Sequence, residues 1–582
     1  MLSKTEIAAI LEEIGVILEI QGENPFKTRA YQNAARTLEG LEDDLPTLVE
    51  EDRLNKVKGI GKAIAEKISI LVREGNLPYY DNLKKSIPPG LLDMLDIPGM
   101  GPKKIKLLYQ KLALEDIPAL KAACQAGKVR ALDGFGAKSE EKILSGIRNR
   151  EAYQARHLWW DAAAVAQPLL QELRNQPGVE RAEAAGSLRR QKETVGDLDF
   201  IVSSDNPGPV MDWFTSRPDV QEISAKGETK SSVRLQGGLQ ADLRVIPPAQ
   251  YAFALHHFTG SKEHNVALRG RSLQRGFSLS EWGLKAEKDT PAPRDIHSEE
   301  DLFQFLGLPY IPPELREGRE EIEQLEGRET PTLVEEKDLR GVFHNHTNAS
   351  DGHHSLGEMA RAAADRGWEY LGISDHSKAS FQANGLNEER LARQLEVIRA
   401  FNQQEDRPLV LFGGVECDIL PDGRLDLDEE ILQQCDYVIA AVHSGFTQDE
   451  ETMTKRLIRA LENPLVTMLA HPTGRLLLQR EPYAVDLPNI IDAAAANDVI
   501  IEINAHPRRL DMDWRLWRRA AAKGVLTSIN PDAHDREHFA YVAAGIATAR
   551  KGWLTANQVL NTKSLSSVQK YLRQRKNGAL LS

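Results

Sequence analysis

Apolar residues along the first part of the chain recur at helical spacing. Ile7, Ile10, Leu11, Ile14, Ile17 and Leu18 mark one helix face, with Ser3 and Glu6 placed as a capping box at its start. Helical patterning then dominates to about residue 150. Within it, VKGIGKAIAEKI (57–68), LDIPGMGPKKIKLL (95–108) and LDGFGAKSEEKIL (132–144) repeat one theme: an apolar lead, a short Gly-x-Gly loop, polar residues and a helix. Beyond residue 190 the period falls to two. Leu198, Phe200 and Val202 line one face of a strand and Asp197 and Asp199 the other. Leu239, Ala241, Leu243 and Val245 form the core face of a second strand, which turns Asp242 away with Gln240 and Arg244. After the proline- and charge-rich segment LGLPYIPPELREGRE (306–320), short apolar runs such as YLGI, YVIAAV and VTMLA alternate with helix-like segments.

Two sets of polar residues sit at the ends of these patterns. In GSLRRQKETVGDLDF (186–200), Gly186 allows close backbone approach to a phosphate, Ser187 adds a hydroxyl, and Arg189 or Arg190 can fork onto a triphosphate. Asp197 and Asp199 on one strand face can grip divalent metal. Nucleotidyl transfer needs two such metals, about 3.5–4 Å apart, at the attacking hydroxyl and the leaving pyrophosphate. Asp242 supplies the third carboxylate. The second set comprises His344 and His346, Asp351, His376 beside Asp375, Glu416, His443, His471, Asp532 and His534, most of them just after an apolar run. Imidazoles and carboxylates at successive strand ends are where a βα barrel assembles an active site. Nitrogen and oxygen donors without thiolate suit Zn, Mn or Fe. Arg475 and Arg508 or Arg509 are candidate phosphate contacts beside them, with solvated surface arginines as the favoured reading.

Length and charge bound the rest. At 582 residues the chain exceeds a single core, so three or more domains are expected. With 41% hydrophobic and 27% charged residues it reads as a soluble globular protein. No apolar run reaches the ~20 residues that span a bilayer. The N-terminal sequence shows no signal-peptide pattern, which predicts a cytoplasmic location and no membrane partner. Cys124, Cys417 and Cys435 are scattered, excluding a disulfide framework or cysteine zinc site. The net charge of −13 is unusual for a nucleic-acid binder, yet residues 1–150 hold 23 basic against 22 acidic side chains. Modest affinity through backbone amides is the expectation. Gly59 and Gly61, Gly99 and Gly101, and Gly134 and Gly136 would supply it, each pair opening a helix whose N-terminus can meet a phosphate.

The Gly-Ser turn, the arginine and the DxD pair resemble, in type and spacing, the family X DNA polymerases, the group of DNA polymerase beta. HHFTGSKEHNVALR (256–269) resembles the segment that meets the incoming nucleotide in that family. The resemblance implies Mg²⁺ at Asp197, Asp199 and Asp242. It also implies a nucleotide site from Gly186, Ser187, Arg190, Gly196, His257, Phe258, Gly260 and Asn265, with Arg269 on the template strand. His257 stands where the family usually has Tyr, so altered sugar discrimination is expected; LSEW (279–282) keeps Glu281. The three Gly-x-Gly segments resemble helix-hairpin-helix motifs. Lys67 matches the family's Schiff-base lysine, with Lys27 and Tyr31 beside it, but Ala63 replaces a second lysine, which favours a phosphate-contacting or solvated role. From about residue 338 the chain resembles the PHP domain, which implies a distorted (β/α)7 barrel and a three-metal centre of Mn²⁺, Zn²⁺ or Fe²⁺. By that match His344, His346, Glu416 and Asp532 surround one metal, Glu416 bridges to a second held by His443 and His471, and Asp351, His376 and His534 surround a third.

The expected architecture is multidomain. An all-α region comprises an 8-kDa-like helical domain (1–90) and a helix-hairpin-helix domain (91–150). An α+β palm (151–246), a nucleotide- and template-contacting subdomain (247–318) and a linker (319–337) lead to an α/β PHP barrel (338–582). The expected function is gap filling in DNA repair with metal-dependent 3'-end trimming. Gapped or nicked primer-template DNA and dNTPs would be the partners of a monomer. Two other readings fit the same residues: a degenerate polymerase acting as a DNA-targeted nuclease or phosphatase, and a non-catalytic DNA-end binder.

Overall fold

The computed structural model describes residues 4–39, 45–57, 59–97, 99–154, 156–287 and 295–581. The chain forms two compact units, Met1–Ala155 and Arg156–Ser582. Ser3, half of the expected capping box, lies outside the described residues.

The first unit is helical throughout. Its opening helix α1 (Lys4–Gln21) does not present a single face. Ile7, Leu11, Ile14 and Leu18 pack with Tyr31, Ile64 and Ile68, whereas Ile17 and Ile20 pack with Ile105 and Leu108 in a second core. The pieces expected as 1–90 and 91–150 therefore share α1. The three Gly-x-Gly loops adopt one conformation. Gly59, Gly99 and Gly134 have φ of +103°, +83° and +83°, a region that L side chains rarely enter. The residue between the glycines, Ile60, Met100 or Phe135, is buried and donates its amide three residues back. That apolar plug fixes each loop while Gly61 and Gly101 cap the helices Lys62–Glu74 and Pro102–Leu112, and Gly136 precedes Ala137–Gln154.

The second unit begins with a five-stranded sheet in the order β1-β2-β5-β4-β3, where β1 is Arg181–Ala184, β2 Asp197–Ser203, β3 Val220–Lys226, β4 Lys230–Leu235 and β5 Gln240–Ile246. Strands β2 and β5 run parallel in a register that sets Asp199 directly opposite Asp242. The alternation read from sequence holds: Leu198, Phe200, Val202, Ala241, Leu243 and Val245 share one core with helix Trp159–Arg174.

Seven parallel strands follow, β6 (Gly341–Val342), β7 (Tyr370–Ile373), β8 (Val410–Asp418), β9 (Tyr437–Ala441), β10 (Met468–Leu469), β11 (Ile500–Asn504) and β12 (Thr527–Asn530), each paired to the next. The first and last ends meet: the His346 amide donates to the Ala533 carbonyl at 2.8 Å, closing a nearly complete barrel. Residues of β7, β9 and β11 are buried on both faces. Their sequences consequently show runs rather than alternation.

A buried ionic knot joins barrel to palm. Lys551, at the end of α2 (Val542–Lys551), donates to Glu317 Oε1 (2.6 Å), the Arg190 carbonyl (2.9 Å) and the Glu314 carbonyl (3.2 Å). Burial brings its amine down to about 8 against the opposing pull of Glu317. Lys551→Met would strand these acceptors, and breaking such a pair costs about 3–5 kcal/mol. A clear fall in the urea midpoint of the full chain is the expected result; an unchanged midpoint would show that the knot adds nothing.

Candidate active sites and metal centre

In the palm, Asp197 and Asp199 project from one face of β2 and Asp242 from β5. Burial and the facing carboxylates raise Asp197, and push Asp199 up to about 7. Burial would also raise Asp242, but hydrogen bonds from Lys230, Gln240 and Ser232 hold it below its usual range; the Lys230 amine lies 3.0 Å away. Three carboxylates forced together in this way attract divalent cation. Gly186 lies in a single helical turn, Gly186–Arg189, at φ +59°. A Cβ there would come within 2.3 Å of Asp199 Oδ2, so this glycine also makes room for the carboxylate.

A proton competes with cation for Asp199. Apparent Mg²⁺ affinity at the palm is therefore expected to rise up to about tenfold per pH unit below 7 and to level off above it. Calorimetric titration at pH 6 and pH 8 checks this. In the metal-free protein the raised Asp199 contributes stability that is complete below the unfolded value of about 4 and lost as pH rises through about 7.

In the barrel, all nine candidate ligands converge at the C-terminal strand ends. Their donor atoms form four overlapping groups: His346, Asp351, His376 and His534; His344, His346 and Glu416; His344, His471 and Asp532; and His376, Glu416 and His443. His471 reaches both His344 with Asp532 and, at 2.9 Å from its Nε2, the Glu416 carboxylate that His443 also meets. Burial should leave each group neutral, and the network overrides it at several of them. Glu416 and Asp532 lie well below the carboxylate range through nearby imidazoles, and His443 is pushed up to about 10 by Glu416 and Asp418. Burial and the adjacent His534 and His376 bring His346 down to about 4. His344 Nε2, both nitrogens of His346, His376 Nδ1, His471 Nδ1 and Glu416 Oε2 are buried without hydrogen-bond partners. Buried imidazole and carboxylate atoms without hydrogen-bond partners, within a cluster whose donor atoms lie close together, fit divalent cations. His344, His471 and Asp532 also hold left-handed φ values of 56°, 27° and 52°, strain that collects at functional sites.

Comparison with known proteins agrees with the domain order. Residues 3–77 match a helix-hairpin-helix domain model and 91–149 a SAM-like helix-hairpin-helix tandem. Residues 254–317 match the DNA polymerase beta thumb and 343–506 the PHP domain. The DNA polymerase/3'-5' exonuclease PolX of Bacillus subtilis (strain 168) is 39% identical over 98% of this chain and 99% of its own. The chain belongs to the family X DNA polymerases with a C-terminal PHP domain. DNA polymerase lambda of Rattus norvegicus is 26% identical over 53% of this chain and 55% of its own length. A probable phosphatase of Thermoanaerobacter sp. (strain X514) is 27% identical over 41% of this chain and 97% of its own.

Other residues expected at the sites of this family X polymerase are held by protein partners. Arg189 binds Thr259 and Glu299, and Arg190 binds Glu317 and the Thr259 carbonyl beside Gly260. The neutral His257 is lowered by burial and by Arg269, against Glu281; its Nδ1 lies 3.0 Å from Arg269, while Asn265 donates to the His257 carbonyl. Phe258 lies under the Arg244 guanidinium. Ser187 follows Gly186 in the helical turn and Gly196 immediately precedes β2. In the helical unit, Lys67 rests over Tyr79 and bonds its own helix backbone, and exposed Lys27 pairs with Glu23. Arg475 is buried against Glu193, the Arg509 carbonyl and the Leu510 carbonyl, so it is a palm–barrel tie rather than a phosphate contact. Arg508 is exposed, whereas Arg509 lies in the metal cavity, 3.5 Å from Asp532.

Sequence reasoning missed the residues that orient the ligands. Glu502 accepts from His344 Nδ1 at 2.6 Å, and Asp418 lies 3.0 Å from His443 Nδ1. Carboxylate–histidine pairs of this kind set the imidazole that faces a metal. A signal was present: Glu502 interrupts the otherwise apolar run VIIEI.

Proposed function

We propose that this chain fills short DNA gaps in repair by template-directed nucleotidyl transfer at the palm, and trims 3' ends as a 3'-5' exonuclease at the barrel. The observation that carries the reading is the coexistence of two separate metal-fitting clusters in one unit that includes a polymerase thumb. At the palm, Asp197, Asp199 and Asp242 would hold Mg²⁺, and Gly186 keeps Asp199 in place. His257, Phe258, backed by Arg244, and Asn265 line the nucleotide side, and Arg269, 3.0 Å from His257 Nδ1, the template side. At the barrel, His344, His346, Asp351, His376, Glu416, His443, His471, Asp532 and His534 would hold Mn²⁺, Zn²⁺ or Fe²⁺, while Glu502 and Asp418 orient imidazoles and Arg509 faces the phosphate. When bound, the cations activate the attacking oxygen and neutralise charge on the phosphoryl group and leaving oxygen.

The names of the relatives support both chemistries: a DNA polymerase/3'-5' exonuclease across the full chain and a probable phosphatase across the barrel. Among the described residues no helix is long and apolar enough to cross a membrane. The test is a gapped primer-template with a mismatched 3' end, given dNTPs and Mg²⁺ or Mn²⁺. Trimming followed by extension is expected. An enzyme that does neither would sink the reading.

A further inference from the structure

The barrel cavity, about 440 Å³, is lined on its inner side by candidate ligands with Arg509 and Asp418, and on another by the loop segment Ala379–Ala383. The ligands and Arg509 can hold metal and phosphate, while Ala379 and Ala383 are too small to cover the face of a nucleobase. The one large apolar side chain among the lining residues is Phe381, at the lip, and it is 75% exposed.

Single exposed hydrophobic residues are common, so exposure alone decides nothing. What distinguishes Phe381 is how firmly its backbone is held. The loop leaves the candidate ligand His376 and returns at once, with the Leu386 amide donating to the His376 carbonyl at 2.7 Å. Its neck is so tight that a Cβ on Gly385 would lie 1.9 Å from the Ser377 carbonyl oxygen. On the near side of the ring, the Ala379 amide donates to Asp426 (2.7 Å), and the Ser380 hydroxyl donates to Asp418 (2.6 Å) and lies 3.2 Å from His443 Nδ1. On the far side, Arg390 donates to the Asn384 carbonyl at 2.9 Å. The loop is thus tied to the same carboxylate that orients a metal-facing imidazole. The backbone that carries the exposed Phe381 ring is held beside the candidate metal ligands.

We propose that Phe381 is a base-stacking residue, which takes the 3'-terminal nucleobase of a DNA strand while Arg509 and the metal-holding residues face the adjacent phosphodiester. The inference rests on the nuclease reading above and adds its substrate selection. Every base offers a π face, so stacking tolerates sequence. A paired terminal base is already stacked in its duplex, whereas an unpaired one is free to move onto the ring. The site would therefore prefer frayed or mismatched ends.

The test uses the full-length protein with Mn²⁺ and two short single-stranded oligonucleotides, one ending in an ordinary nucleotide and one whose 3'-terminal sugar lacks a base. Phe381→Ala is expected to lower kcat/KM on the base-bearing end by roughly 5- to 150-fold, the range carried by a base–aromatic stack. Its rate on the abasic end should equal wild type. Phe381→Trp should restore the base-bearing rate, and the melting temperature of both variants should match wild type. Unchanged cleavage of the base-bearing end by Phe381→Ala would overturn the proposal, as would an equal loss on both ends, the mark of a merely structural role. If wild type cleaves neither oligonucleotide, the nuclease reading itself falls, and this inference with it.

Discussion

Asp199→Ala is expected to abolish primer extension, by about 10³-fold or more, while 3'-end trimming continues at the wild-type rate. Metal at such a site supplies several kcal/mol of charge stabilisation, and each 1.36 kcal/mol is tenfold in rate. Asp199 is pushed up to about 7 by burial and by Asp197 and Asp242, and lies directly opposite Asp242 in the sheet. Its removal thus empties the shared corner of the cluster. Burial and repulsion already disfavour its charge, so the metal-free variant should melt no lower than wild type at pH 8. A loss of extension is then attributable to the site and not to unfolding. Extension surviving in Asp199→Ala would remove the palm assignment.

Glu416→Gln is expected to have the opposite signature: trimming falls by about 10³-fold or more and extension is retained. Glu416 belongs to two of the four donor groups, and its Oε1 lies 3.2 Å from His344 Nε2, 2.9 Å from His471 Nε2 and 3.2 Å from His443 Nε2. Glutamine keeps the shape but loses the charge that offsets these imidazoles and any cations between them. Elemental analysis should show fewer bound metal ions per chain than in wild type. Full metal content together with full trimming would mean that the hydrolytic centre lies elsewhere.

Much of this was legible one residue at a time, because the signals are local. The period of two around Asp197 and Asp199 requires only that one strand face be buried. Each Gly-x-Gly loop is likewise a short-range object, set by a positive φ and an apolar plug. The nine barrel donors could be recognised individually, since each follows an apolar run or its flanking turn.

The sequence by itself determined the helical and strand character of the main segments, the candidate metal-holding side chains and the two chemistries they point to. Tertiary structure decided who meets whom. It placed Asp199 in register with Asp242, and set His471 within reach of both Glu416 and the His344–Asp532 group. It divided α1 between two cores and turned Arg475 from a phosphate contact into a tie to Glu193. It also revealed Glu502 and Asp418 behind their imidazoles, and fixed Phe381 at the cavity lip. The reason is that periodicity records only whether a residue faces the core. Strand register, the partner of a buried charge and the aim of a loop are settled by burying residues distant in sequence against one another, where every polar atom must find an acceptor, a donor or a cation.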